Sequence, residues 1–160
     1  MDLDALKELF SDLDPETLIQ KLIPPLDTVL GWVELLTRLA VMTAPLLLLG
    51  FGLLYLLAPP KEANYSAGYR CWWGMASLEA WRYTQRIAGM IWTLLGLVLT
   101  VVMAVKSLSF GDLNPMDMLW TAGTCLLWQL GLAVLSCIVI NLTVFVAFDR
   151  FGHRRREPLE

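Results

Sequence analysis

Three stretches of this chain, 39–57, 87–105 and 118–148, contain no charged residue. A helix crosses the roughly 30 Å apolar core of a bilayer with about 20 residues, so each stretch is long enough to span it. In a 160-residue chain, three helices of this kind would leave almost nothing to cover them in water. The composition agrees, with 57% hydrophobic and 17% charged residues, against about a quarter charged in an ordinary soluble domain. The sequence therefore predicts an all-α integral membrane protein, a helical bundle of three transmembrane helices preceded by an amphipathic N-terminal helical region.

The segments follow from this division. Residues 1–38 are an acidic prelude with eight acids and three bases. There Leu3, Leu6, Leu9, Phe10 and Leu13 recur at helical spacing. Asp14, Pro15 and Glu16 make a second helix start, Pro24 and Pro25 break it, and a further helix is expected from about Leu26. The reading of the prelude is a helix on the bilayer surface or a docking helix for a partner. Signal peptides begin with a basic region, so the first span, 39–57, is read as retained. A basic, aromatic loop and helix start occupy 58–86, the second span 87–105, a short loop 106–117, the third span 118–148 and a basic tail 149–160.

The basic residues flanking the spans give an orientation. Lys61, Arg70, Arg82 and Arg86 lie in the first loop and Arg150, Arg154, Arg155 and Arg156 in the tail, whereas 106–117 holds only Lys106. The positive-inside rule places the first loop and the C-terminus in the cytoplasm and the N-terminus outside, in a multi-pass protein of the bacterial cytoplasmic membrane.

Within the spans, Gly89, Thr93, Gly96 and Thr100 form one stripe of small and weakly polar residues. Ala122, Cys125, Gln129, Ala133 and Ser136 form another. Such stripes permit close helix approach, and these two are expected to face one another or a further subunit. Pro45 has no N–H and is expected to kink the first span, with the carbonyl it frees satisfied inside the bundle. Gln129 and Asn141 are the amides at membrane depth, read either as interhelical hydrogen bonders or as part of a ligand path.

No catalytic or metal site can be assembled from this sequence. Cys71, Cys125 and Cys137 have no paired spacing, His153 is the one histidine, and no ionisable residue lies deep in a span. The expectation is a non-enzymatic protein with no cofactor, no metal and no direct contact with nucleic acid.

One segment is arranged beyond what topology requires. Residues 68–89, GYRCWWGMASLEAWRYTQRIAG, combine three tryptophans with three arginines at the edge of a span. Ser77 is placed as a helix N-cap, with Glu79 in the first turn. Glu79 has Arg82 three residues on as one ion partner, and a buried pair with Arg70 is another. The order Asn64, Gly68, Tyr69, Arg70, Met75, Ser77, Glu79, Trp81, Gln85, Gly89 resembles the signature of the SdpI family of bacterial membrane proteins. Cys71 and Trp72 stand where that family usually has Thr-Pro, and Gly74 where serine is common. The resemblance implies an immunity and signalling role, in which the protein engages a secreted peptide toxin and holds a cytoplasmic regulator at the membrane. It marks Asn64, Gly68, Tyr69, Arg70, Ser77, Glu79, Trp81, Gln85 and Gly89 as the binding loop, or as a clamp that braces the fold. Expected partners are membrane lipid, the toxin and the regulator. The competing reading is a structural subunit or assembly factor, as a homo-oligomer or within a larger membrane complex.

Overall fold

The computed structural model describes residues 26–62 and 68–155. The helices expected before Pro25, and the motif position Asn64, lie outside the described residues. Three long helices run up, down and up: α1 Leu26–Leu57, α2 Leu78–Leu108 and α3 Pro115–Ala147. Each is long and apolar enough to cross a membrane. The described residues contain no strand, only an isolated bridge between Phe148 and Arg154.

The helix ends follow from local chemistry. α1 carries Glu34 and Arg38 one turn apart, with Arg38 Nε donating to Glu34 Oε1 at 2.9 Å, so the two charges neutralise each other along the helix. It stops before Pro59 and Pro60, because the residue before a proline is pushed out of the helical region. α2 opens on Ser77, whose extended backbone and Oγ, accepting from Ala80 N at 3.1 Å, make a regular N-cap. A 3-10 turn, Ser109–Asp112, connects α2 to α3. α3 then starts on Pro115, where the missing N–H costs nothing.

The most extensive packing is between α1 and α2, and glycine permits it. A Cβ on Gly52 would fall 2.4 Å from Thr93 N, and one on Gly96 2.4 Å from Leu49 N. These backbones touch without intervening side chains, as expected where lipid offers no hydrophobic drive for association. The α2 stripe therefore faces α1 rather than the α3 stripe. The α3 stripe closes the bundle elsewhere. Ser136 Oγ accepts from Trp92 Nε1 of α2 at 3.1 Å, and Gln129 Nε2 donates to Val41 O of α1 at 3.0 Å.

That last bond explains a buried amide. Pro45 cannot donate to the carbonyl four residues back, which is Val41, and α1 runs unbroken through both. Gln129 supplies the missing donor from another helix. Its own Oε1 is buried with no partner among the described residues.

The core divides into two clusters. One gathers Tyr55, Tyr69, Cys71, Ala80, Ala88, Ile140, Val144 and Phe148 at the end holding the 58–77 connection. The other gathers Val41, Leu99, Met103, Phe110, Met118, Ala122 and Cys125 at the opposite end. Much of the remaining surface is exposed and apolar, including Leu94, Leu127 and Trp128, which is the surface a bilayer covers.

Candidate functional site

The motif segment folds inward between the helices. Gly68 has a φ of +110°, a conformation that favours glycine. A Cβ there would fall 2.7 Å from the Trp81 ring. Past this bend, Tyr69 enters the bundle and pairs with Gln85 as two strands would. Tyr69 N donates to Gln85 Oε1 at 2.8 Å, and Gln85 Nε2 donates to Tyr69 O at 2.8 Å. Gln85 is fully buried, so one side chain satisfies both backbone groups of a residue that no regular element serves.

The tyrosine ring continues inward. It meets Trp92 edge-on, with centroids 5.4 Å apart. Its Oη donates to Cys137 O at 3.2 Å and accepts from Asn141 Nδ2 at 2.9 Å. Asn141 also reaches Cys137 O at 2.8 Å. Asn141 thus belongs to the loop's anchorage, while Gln129 serves the Pro45 gap; both intramembrane amides are committed to interhelical bonds.

Trp81 fixes the other strand of the connection. It is fully buried, and its Nε1 donates to Pro60 O at 2.9 Å. Between Tyr69 and α2 runs a tight bend ending in the 3-10 turn Trp73–Met75. Gly74 N donates to Cys71 Sγ at 3.3 Å. A Cβ on Gly74 would fall 2.4 Å from Thr84 Oγ1, so the serine common at this place in the resembled family has no room here. Burial pushes the Cys71 thiol above its usual range, against the lowering effect of hydrogen bonds from Gly74 and Thr84.

Ser77 has a second bond beyond its capping role: its Oγ donates to Gly152 O at 2.9 Å. The tail after α3 folds back to receive it. Asp149 Oδ1 accepts from Phe151 N at 2.9 Å and His153 N at 2.8 Å. Arg155 N donates to Ala147 O at 3.0 Å. Gly152 takes a φ of +81°, and a Cβ on it would fall 2.6 Å from Ser77 Cβ. The backbone N–H of His153, then that of Phe151, hold the Asp149 carboxyl below its ordinary range. The sequence reading missed this hook, although Asp149 and Gly152 stand at the first and fourth places of a turn signature.

Of the motif positions, Tyr69 and Gln85 are hydrogen-bonded to each other, Gly68 lies against Trp81 and Gln85, and Ser77, whose carbonyl accepts from Trp81 N, ties this cluster to the tail. Gly89 lies a turn further along α2, where a Cβ would fall 3.1 Å from Gly52 O, so it serves the α1–α2 crossing. Arg70 and Glu79 are both exposed, which removes the buried Arg70–Glu79 clamp. Glu79 instead has Arg154 Nε at 3.8 Å, a solvated contact of small energetic weight. What remains outward is Arg70, the 80% exposed Trp72, Arg82 and Arg86.

No curated protein and no solved structure matches this chain. The sequence model of the SdpI/YfhL protein family does match it, over residues 61–147. That span begins in the connection held by Trp81, takes in the whole inserted loop, and ends with α3. It covers more than half of the chain, and the chain belongs to the SdpI/YfhL protein family.

Proposed function

We propose that the protein acts by binding rather than by catalysis, as a receptor-like immunity and signalling component of the bacterial cytoplasmic membrane. In this reading the N-terminus is outside and the loop face is in the cytoplasm, as the distribution of basic residues suggests. The resemblance supplies the partners, a secreted peptide toxin and a cytoplasmic regulator. The observation that carries the reading is the division of labour within the loop. Tyr69, Trp81 and Gln85 turn inward and hold the backbone, leaving Trp72 80% exposed beside the exposed Arg70. Tryptophan and arginine are the residue types that dominate binding hot spots, and a braced backbone lowers the ordering cost of using them.

A photo-crosslinking residue in place of Trp72, in living cells challenged with secreted peptide, tests this. A discrete adduct with a soluble regulator, lost in Arg70→Ala while the protein still accumulates in the membrane, is the expected result. Adducts with lipid alone at Trp72 would end the regulator reading. The subunit reading has its own support in α3, where Trp120 and Trp128 are exposed and a Cβ on Gly123 or Gly131 would meet nothing within 4 Å. A partner membrane protein crosslinked from that face at fixed stoichiometry would favour it.

A further inference from the structure

Beside the braced loop, the end of α1, the connection and the first turns of α2 enclose a groove of about 470 Å³, lined by Tyr55, Leu56, Pro59, Pro60, Lys61, Arg82 and Arg86. Its charge is one-sided. Arg82 and Arg86 are four residues apart on α2 and share a face. Lys61 approaches from the connection, and among the described residues no carboxylate lines the groove. None of the three cations has an ion pair among the described residues, and the nearby Glu79 lies instead against Arg154. Like charges gathered in this way repel unless an anion joins them.

The groove is also built rather than incidental. Its Pro60 wall is pinned by the buried Trp81, whose Nε1 donates to Pro60 O at 2.9 Å. On the same face of α1 as the groove-lining Leu56, Leu53 and Leu57 are exposed. A cationic mouth above an apolar helix face at the end of a membrane span is the chemistry of a phosphate headgroup with its acyl chain attached. Arginine in particular binds phosphate through its planar fork.

We propose that this groove seats the headgroup of an anionic phospholipid, with its phosphate between Arg82, Arg86 and Lys61 and an acyl chain along Leu53 and Leu57. The groove opens at the end of a membrane span, where anionic headgroups are concentrated at the bilayer surface and soluble phosphate is not, which selects the lipid. The assignment is independent of any partner at Arg70 and Trp72. It also gives the motif tryptophan a second task, since Trp81 positions a wall of the lipid groove.

The test uses the full chain in micelles containing equal amounts of phosphatidylglycerol and phosphatidylcholine, with bound lipid counted by native mass spectrometry. Preferential retention of phosphatidylglycerol is expected. Arg82→Gln and Arg86→Gln should each lower it about fivefold, the scale for one basic residue at an anionic surface. Arg82→Lys/Arg86→Lys, which keeps the charge but loses the forks, should retain a weaker preference, which separates lost charge from lost fold. Lys106→Gln, at the opposite end of the bundle, should leave it unchanged. Equal retention of the two lipids, or an unaltered preference in Arg82→Gln/Arg86→Gln, would overturn the proposal. Displacement by inorganic phosphate as effective as by added phosphatidylglycerol would assign the groove to a soluble anion and overturn the lipid.

Discussion

The two ends of the bundle are held by different physics. At the loop end, the chain between α1 and α2 dips into the core, and its backbone depends on side chains for hydrogen bonds, Gln85 for Tyr69 and Trp81 for Pro60, while Ser77 does the same for Gly152 of the tail. At the other end the connection is one 3-10 turn, and what closes it is volume. Phe110 sits beside Met118, Leu99 and Met103 with almost no exposed surface. A packed apolar cluster tolerates exchange of similar shapes. A buried polar network does not, because removing one partner leaves the other unsatisfied.

The sharpest way to break this comparison is a shape-conserving exchange at each end. Gln85→Met keeps the length of the side chain but leaves Tyr69 N–H and C=O without partners. At about 1–3 kcal/mol for each buried unsatisfied group, the loss is about 2–6 kcal/mol. Met118→Leu at the apolar end should cost under about 1.5 kcal/mol. Unfolding of both variants in the same detergent, followed by denaturant titration, gives the two values. Equal losses would mean that the loop is not braced by Gln85, and the division between the two ends would fall with it.

The parts of the fold that were legible in the sequence are those set by neighbours along the chain. Charge-free runs give the three helices, and Ser77 followed by Glu79 gives the cap of α2. The parts that were not legible depend on how the helices lie against each other. Helical spacing identified the stripe through Gly89 and Gly96 but not that it faces α1. The resemblance singled out Tyr69, Trp81 and Gln85, yet left open whether they bind or brace. Pairing across 16 residues between a loop amide and Gln85 has no periodic trace. Pro45 is intermediate: its spacing names Val41 as the carbonyl in need, but only the bundle brings Gln129, 88 residues away, to meet it.

That contact sharpens the comparison on a smaller scale, since it is a polar patch set into the span core. Gln129→Leu should cost about 0.6–1.7 kcal/mol, from the mean to the largest value for interhelical hydrogen bonds in membranes, reduced by removal of the unpartnered Oε1. Pro45→Ala restores a backbone N–H four residues after Val41, so the carbonyl no longer needs the glutamine. In a double-mutant cycle, Gln129→Leu should then cost little or nothing in the Pro45→Ala background. The same cost in both backgrounds would show that Gln129 serves some purpose other than the proline gap.

The smallest effect concerns the tail hook, the most exposed part of the loop end. The Asp149 carboxyl lies below its ordinary value of 3.8 because the His153 and Phe151 amides donate to its charged form. A carboxyl with a lowered folded value contributes its full stabilisation above the ordinary value, and loses it as pH falls through the lower folded one. Acid should therefore loosen the hook below about pH 4, where the unfolded group begins to bind protons. Hydrogen exchange is the suitable readout. Protection of the Phe151 and His153 amides should decline through that range, while the Leu113 amide, bonded to Phe110 O at 3.3 Å at the apolar end, keeps its own. Asp149→Asn should remove the pH dependence of the hook and leave the amides weakly protected throughout. If protection at Phe151 survives to the lowest pH, backbone bonds such as Arg155 N to Ala147 O hold the tail without the carboxylate, and the loop end is less dependent on side-chain partners than its other contacts imply.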